Sequence, residues 1–166
     1  MRLLRTLAVV AILAVVAVAG YRLFLRRPTA AGSPIAVYYV KTDARQLAHW
    51  NVSLGSARDL ASVALYAAVQ AVAGPPPDVD AIRFPAGTIV RSVHVSGSNA
   101  TVDLGGTVAG PQSGSLAEDG EFKALVWTLT DVPGIAAVAV RVNGARVPTL
   151  PGGHLELDEP LTRQSW

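Results

Sequence analysis

The chain has 166 residues, 51% of them hydrophobic, with 14 Lys and Arg against 12 Asp and Glu and no cysteine. The missing cysteine excludes disulfides, thiolate metal sites, cysteine nucleophiles and a lipid carried on an N-terminal cysteine. Arg2, Arg5, Arg22, Arg26 and Arg27 surround one apolar segment, and residues 28–166 hold nine basic and twelve acidic residues, a formal charge of −3. The basic character therefore belongs to lipid headgroups and argues against nucleic acid as a partner.

Between Thr6 and Leu25 the only charged residue is Arg22. Twenty helical residues rise about 30 Å, the thickness of a bilayer's hydrocarbon core. Arg22 lies one turn from the end, where its stem can reach the interface. Residues 1–27 are thus expected to be a single transmembrane anchor, with the membrane contact over residues 6–25, residues 28–34 as a linker and residues 35–166 as the domain. Ala17-Val18-Ala19 is an A-x-A pattern, so secretion after cleavage near Ala19 is the alternative. Arginines on both flanks leave orientation open from charge alone. The signal-like layout and the absent cysteine favour an exported bacterial domain on the extracytoplasmic side of the cell membrane.

Ile35–Lys41 is β-rich and reads as the first strand. Residues 42–55 read as irregular. Ser56-Ala-Arg-Asp59 opens a helix in the manner of a capping box, and Gly74 with Pro75-Pro76-Pro77 stops it after Ala73. Leu60, Val63, Ala64, Ala67 and Ala71 lie on its core face; Arg58, Ser62, Tyr66 and Gln70 form a polar ridge. Thr88–Val95 and Ala100–Leu104 flank Ser96-Gly-Ser-Asn99, a hairpin with a four-residue connection. Ser115-Leu-Ala-Glu118 is a second capping box. Its helix runs to about Thr130 with Phe122, Leu125, Val126 and Leu129 inward, and Asp131–Gly134 ends it. Ile135–Val142, Asn143-Gly144 and Ala145–Leu150 read as a second hairpin, its last strand made ragged by Pro148. The expected order is β-α-β-β-α-β-β, a two-layer α/β (α+β) domain with two helices on one face of a small mixed sheet.

Phe84-Pro85-Ala86-Gly87-Thr88, the following Val90, Val93 and Val95, and Ala100–Leu104 resemble the middle of the GerMN domain family of sporulation and spore germination. Leu125–Gly144 resembles it too, with its T-L-T, P-G and N-G order. So do Gly153–Arg163 at the C-terminal end, and Ile35–Lys41 and Arg58–Leu65 with Gly74-Pro75 at the start. The resemblance covers about residues 35–163. It implies a ring-building-motif-like domain outside the cytoplasmic membrane, a non-enzymatic part of envelope or spore-coat-forming assemblies. Two departures are the absent lipoprotein cysteine and the single copy in place of a tandem pair.

The candidate catalytic parts are sparse. His49, His94 and His154 lie in three different segments. His94 is expected on a sheet surface, with Ser92 and Val90 on its face and Val93 and Val95 on the other. His154 with Glu156 and Asp158 offers metal-ligating types, but no H-x-x-x-H or paired-carboxylate helix supports a site. Asp119 and Glu121, at the start of the second helix, suit the dipole there. Gly105, Gly106 and Gly110 lack the lysine of a phosphate loop, and no G-x-S-x-G elbow occurs. No catalytic residue, cofactor or metal is expected.

What remains is apolar surface. Leu65 and Val69 fall near the polar ridge of the first helix, and Trp127 falls off the core stripe of the second. These three form the candidate protein-interaction surface. The expected function is a membrane-anchored extracytoplasmic interaction or assembly module of the cell envelope, its partner another protein or a second copy. The alternative is an envelope enzyme or a small-ligand or cell-wall binder.

Overall fold

A computed structural model describes residues 34–42, 46–55, 59–110 and 114–166. The anchor over residues 1–27 and linker residues 28–33 lie outside the described residues. Among the described residues no helix is long and apolar enough to cross a membrane.

Strand β1 (Ile35–Val40) buries Ile35, Val37 and Val40. It pairs antiparallel with β2 (Leu47–Val52), from Ile35 opposite Val52 to Val40 opposite Leu47. Segment 42–55, expected to be irregular, thus contains a strand. Its residues alternate only weakly in polarity. The pairing brings Tyr38 to 5.3 Å from His49 and Tyr39 to 5.8 Å from Trp50 between ring centroids. Such cross-strand aromatic contacts stabilise a ladder only once both strands are present.

Helix α1 (Leu60–Ala73) buries Ala64, Ala67, Ala68 and Ala71. Asp59 is itself the N-cap, where a box opening at Ser56 was expected. Its carboxylate accepts from Ser62 N at 3.0 Å and from Ser62 Oγ at 2.6 Å. Those bonds to Ser62 favour the charged form and lower the Asp59 pKa. Gly74 closes the helix as expected, at φ 75°, its N–H donating to Gln70 O at 3.1 Å. Tyr66 leaves the expected polar ridge and packs half-buried against the core.

Strands β3 (Thr88–Ser96) and β4 (Asn99–Gly106) are antiparallel and are joined by Gly97-Ser98, a connection two residues shorter than expected. A bulge at Arg91 shifts the register between Val90 and Ser92. An extra residue reverses the alternation of a strand, so Val90 joins Val93 and Val95 against the core. Val90 therefore does not share the face of His94, as strict alternation suggested. A short 3₁₀ turn (Thr107–Ala109) leads toward helix α2 (Ser115–Thr130), and the chain returns as β5 (Ala137–Val142), parallel to β4.

The observed order is β-β-α-β-β-α-β. The strands form a two-stranded sheet, β1-β2, and a three-stranded mixed sheet, β3-β4-β5, in place of one sheet. Helix α1 packs on β3, β1 and α2, and α2 packs on β1 and β5. Phe84 meets Phe122 edge-on at 5.5 Å among Val102, Leu104, Leu125, Leu129 and Val138.

The expected second hairpin is only a turn. Asn143 (φ 52°) and Gly144 (φ 82°) reverse the chain, and Val142 bridges Ala145. Residues 145–150 then leave the sheet, because the edge of β5 is already taken. Val138 N donates to Leu161 O and Leu161 N to Val138 O, both at 2.8 Å. Pro148 has no N–H to offer a ladder, while its carbonyl accepts from Leu157 N at 2.7 Å.

Asp59→Ala removes the cap of α1 without touching the core. It is expected to lower unfolding free energy by about 1 kcal/mol, measured by urea titration at pH 7.

Candidate functional site

Ala61, Leu65, Val69 and Ala73 recur every four residues and share the outward side of α1. Leu65 is 40% and Val69 41% exposed. The buried alanines opposite let the helix lie low on its neighbours, so its outer stripe stands free of cover from the described core. Periodicity thus placed Leu65 and Val69 correctly outside the core.

Trp127, grouped with them by sequence, belongs to a different arrangement. It is half-buried, with its ring 5.5 Å from Trp166, the Lys123 ammonium at 5.3 Å and the Arg163 guanidinium at 5.8 Å. Trp166 Nε1 also donates to Asp119 at 3.0 Å. The C-terminal segment therefore covers Trp127 and ties it to α2. Sequence reasoning passed over two exposed apolar residues: Ile89, 52% exposed beside the bulge, and Leu116, 46% exposed on the first turn of α2.

The arm after Leu150 folds back across the start of α2. Glu118, expected to close a capping box, instead lies 1% exposed within this contact. Its Oε2 accepts from His154 N at 2.6 Å and Leu155 N at 3.3 Å. The residue before the helix is Gly114, which has no side chain to cap it. A Cβ on Gly153 would overlap Oε1 of Glu118, so only glycine fits against the carboxylate. One turn further on, Glu121 is 2% exposed. Burial, and then the charge of Glu118, push its carboxyl up to about 8. Oε1 of Glu118 and Oε2 of Glu121 have no hydrogen-bond partner. Beside this contact a cavity of about 690 Å³ is lined by Ser115, Leu116, Asp119, His154, Glu156 and Asp158, among others.

The histidines stay apart. His49 meets Tyr38 in a tilted ring contact in the β1-β2 sheet, and His154 contributes its backbone to the arm. His94 lies on the polar outer face of the other sheet, beside a depression of about 280 Å³ with Ser92, Thr101, Asp103 and Arg141. There Asp103 accepts from Arg91 Nε at 3.1 Å and from Gly144 N at 2.7 Å. Among the described residues no group of three or more His, Cys, Asp or Glu is placed to hold a metal ion.

Residues 36–148 match the family model described as Germane, sporulation and spore germination, and the chain belongs to this family. Its fold is that of the GerMN domain. The first GerMN domain of the sporulation protein GerM from Bacillus subtilis superposes with a TM-score of 0.60 at 22% identity, covering 79% of this chain and 98% of that one. The tandem GerMN domains of the same protein give 0.58 at 20% identity over 80% of this chain, which spans 46% of the tandem pair. A Clostridium perfringens protein described as "Putative Lipoprotein" gives 0.57 at 18% identity, over 79% of this chain and 87% of that chain. No curated protein matches the sequence.

Gly153→Ala forces a methyl group into the Glu118 carboxylate, which its two amide bonds prevent from yielding. The expected loss is about 1–3 kcal/mol of stability, read from denaturant unfolding with Trp fluorescence.

Proposed function

We propose that this chain is a membrane-held GerMN module that works outside the cytoplasm as a non-catalytic interaction or assembly unit of the cell envelope. The observation that carries the reading is the Leu65–Val69 stripe, aliphatic and exposed on the outer side of a helix whose other faces pack into the domain. A partner helix or strand laid on this stripe would remove both side chains from water. Each contributes about 1.5–3 kcal/mol when fully buried. The reading is supported by the family, whose model is described by sporulation and spore germination. Membrane attachment is supported by the apolar run Thr6–Leu25 and by the structural relative described as a lipoprotein. Lacking cysteine, this chain would be held by the segment itself.

Replacing both Leu65 and Val69 by Glu is expected to abolish in-membrane crosslinks to the partner while leaving the melting temperature within a few degrees of wild type. Unfolding of the double variant would show these positions to be core. Unchanged crosslinks in a folded variant would remove α1 as the contact.

Protease added to intact spheroplasts is expected to digest residues 35–166. Digestion only after lysis would reverse the topology and with it the envelope role.

A further inference from the structure

Glu118 and Glu121 lie one helical turn apart, the spacing at which side chains of one face meet. Both are essentially excluded from solvent, at 1% and 2% exposure. Each has one carboxylate oxygen without a partner. Two buried carboxylates, both charged, would repel each other and leave both orphan oxygens desolvated, at a cost that such sites avoid by taking up a proton. A proton on Glu121 removes one of the two charges and spares its orphan oxygen from being buried as an anion.

We propose that Glu121 is held protonated beside Glu118, and that this buried pair is a pH-sensitive latch holding the 153–155 arm on helix α2. The charged and titratable groups around the pair come from three elements. On α2 itself, Asp119 accepts from Trp166 and Lys123 lies over the Trp127 ring. The arm presents the backbone N–H groups of His154 and Leu155, and its His154, Glu156 and Asp158 side chains line the adjoining cavity. The segment before β3 presents Ile82 against Gly120, while the Arg83 guanidinium is engaged by the carbonyls of Pro75, Pro76 and Val79. Glu118 is the one charge that acts on Glu121.

The latch acts through the other oxygen of Glu118. While Glu121 keeps its proton, Oε2 of Glu118 holds the arm through two amide bonds. The same arm continues through the Leu161 bridge to Trp166 on Trp127. Loss of the Glu121 proton places a new charge in the same dry space. The response that least disturbs the core is release of residues 153–155, which lets water reach both carboxylates. The folded chain holds the Glu121 proton up to about pH 8, whereas an unperturbed glutamate loses it near 4.5. The stability owed to this group is therefore complete below about pH 4.5, falls as pH rises, and is gone above about pH 8.

The test is amide hydrogen exchange on the full chain in detergent micelles between pH 6 and 9, with rates expressed as protection factors. Protection of His154 and Leu155 is expected to fall progressively, at least tenfold, between pH 6 and 8 and to level off above about pH 8, while Ala67 and Ala68 in α1 stay protected. In Glu121→Gln the side chain is uncharged at every pH, so the arm is expected to remain protected at pH 9. Flat protection in the wild type, or a pH-dependent loss that survives Glu121→Gln, overturns the latch. If Glu121→Gln does not fold, the wild-type Glu121 carboxyl carbon is titrated by NMR. A midpoint near 8 supports the retained Glu121 proton and one near 4.5 overturns it.

Discussion

Helix α2 is buried around most of its circumference, and the polar groups it carries inward must find their partners in other elements. Thr128 Oγ1 donates to Ala124 O at 2.8 Å and accepts from Tyr38 N at 2.9 Å, which ties β1 to the helix. Glu118 accepts from the arm. Thr130 Oγ1 donates to Val126 O and accepts from Arg163 Nε at 2.8 Å, which ties down the C-terminal turn. An unpaired buried polar atom costs about 1–3 kcal/mol. These tethers therefore do more than add contacts: they make β1, the arm and the last turn conditions for burying α2 at all. Glu121 is the one inward polar side chain of the helix without such a tether, and its raised pKa follows from that isolation.

The C-terminal turn works mainly by packing. Arg163 forms an ion pair with Asp131 at 3.4 Å, with both side chains more than a third exposed, and pairs of that kind contribute little. Its guanidinium also lies 5.9 Å from the Tyr38 ring and 5.8 Å from the Trp127 ring. Cation–π contacts of this type, with the stem covering apolar surface, give Arg163 a role that lysine would not fill. The outcome for function is a division of surfaces. The C-terminal segment covers Trp127 on α2, whereas among the described residues nothing covers the Leu65–Val69 stripe of α1.

The family's sequence features acquire physical meaning in this frame. Phe84-Pro85-Ala86-Gly87-Thr88 delivers an aromatic ring to Phe122 and then turns the chain into β3. Thr88 N donates to Pro85 O at 2.9 Å, and Thr107 Oγ1 donates to the carbonyls of Pro85 and Ala86. Asn143-Gly144 reverses the chain so that Gly144 N meets Asp103 across the parallel pair β4-β5. Neither motif supplies chemistry; both hold the sheet's edges in place.

The sequence by itself determined whatever depends on near neighbours. The inner face of α2, the stop of α1 at Gly74, the β3-β4 hairpin and the exposure of Leu65 and Val69 all follow from spacing and turn residues within one segment. The family was legible for the same reason, since its motifs are turns and alternations in fixed order. Tertiary structure decided what depends on a distant partner. Strand β2 needs β1 to show its pattern, and residues 145–150 lose the edge of β5 to Leu161. Glu118 is drawn from a local cap into the arm, and Trp127 is covered by Trp166. In each case a local preference worth about 1 kcal/mol met a long-range contact that buried more surface or satisfied a buried group, and the long-range contact prevailed.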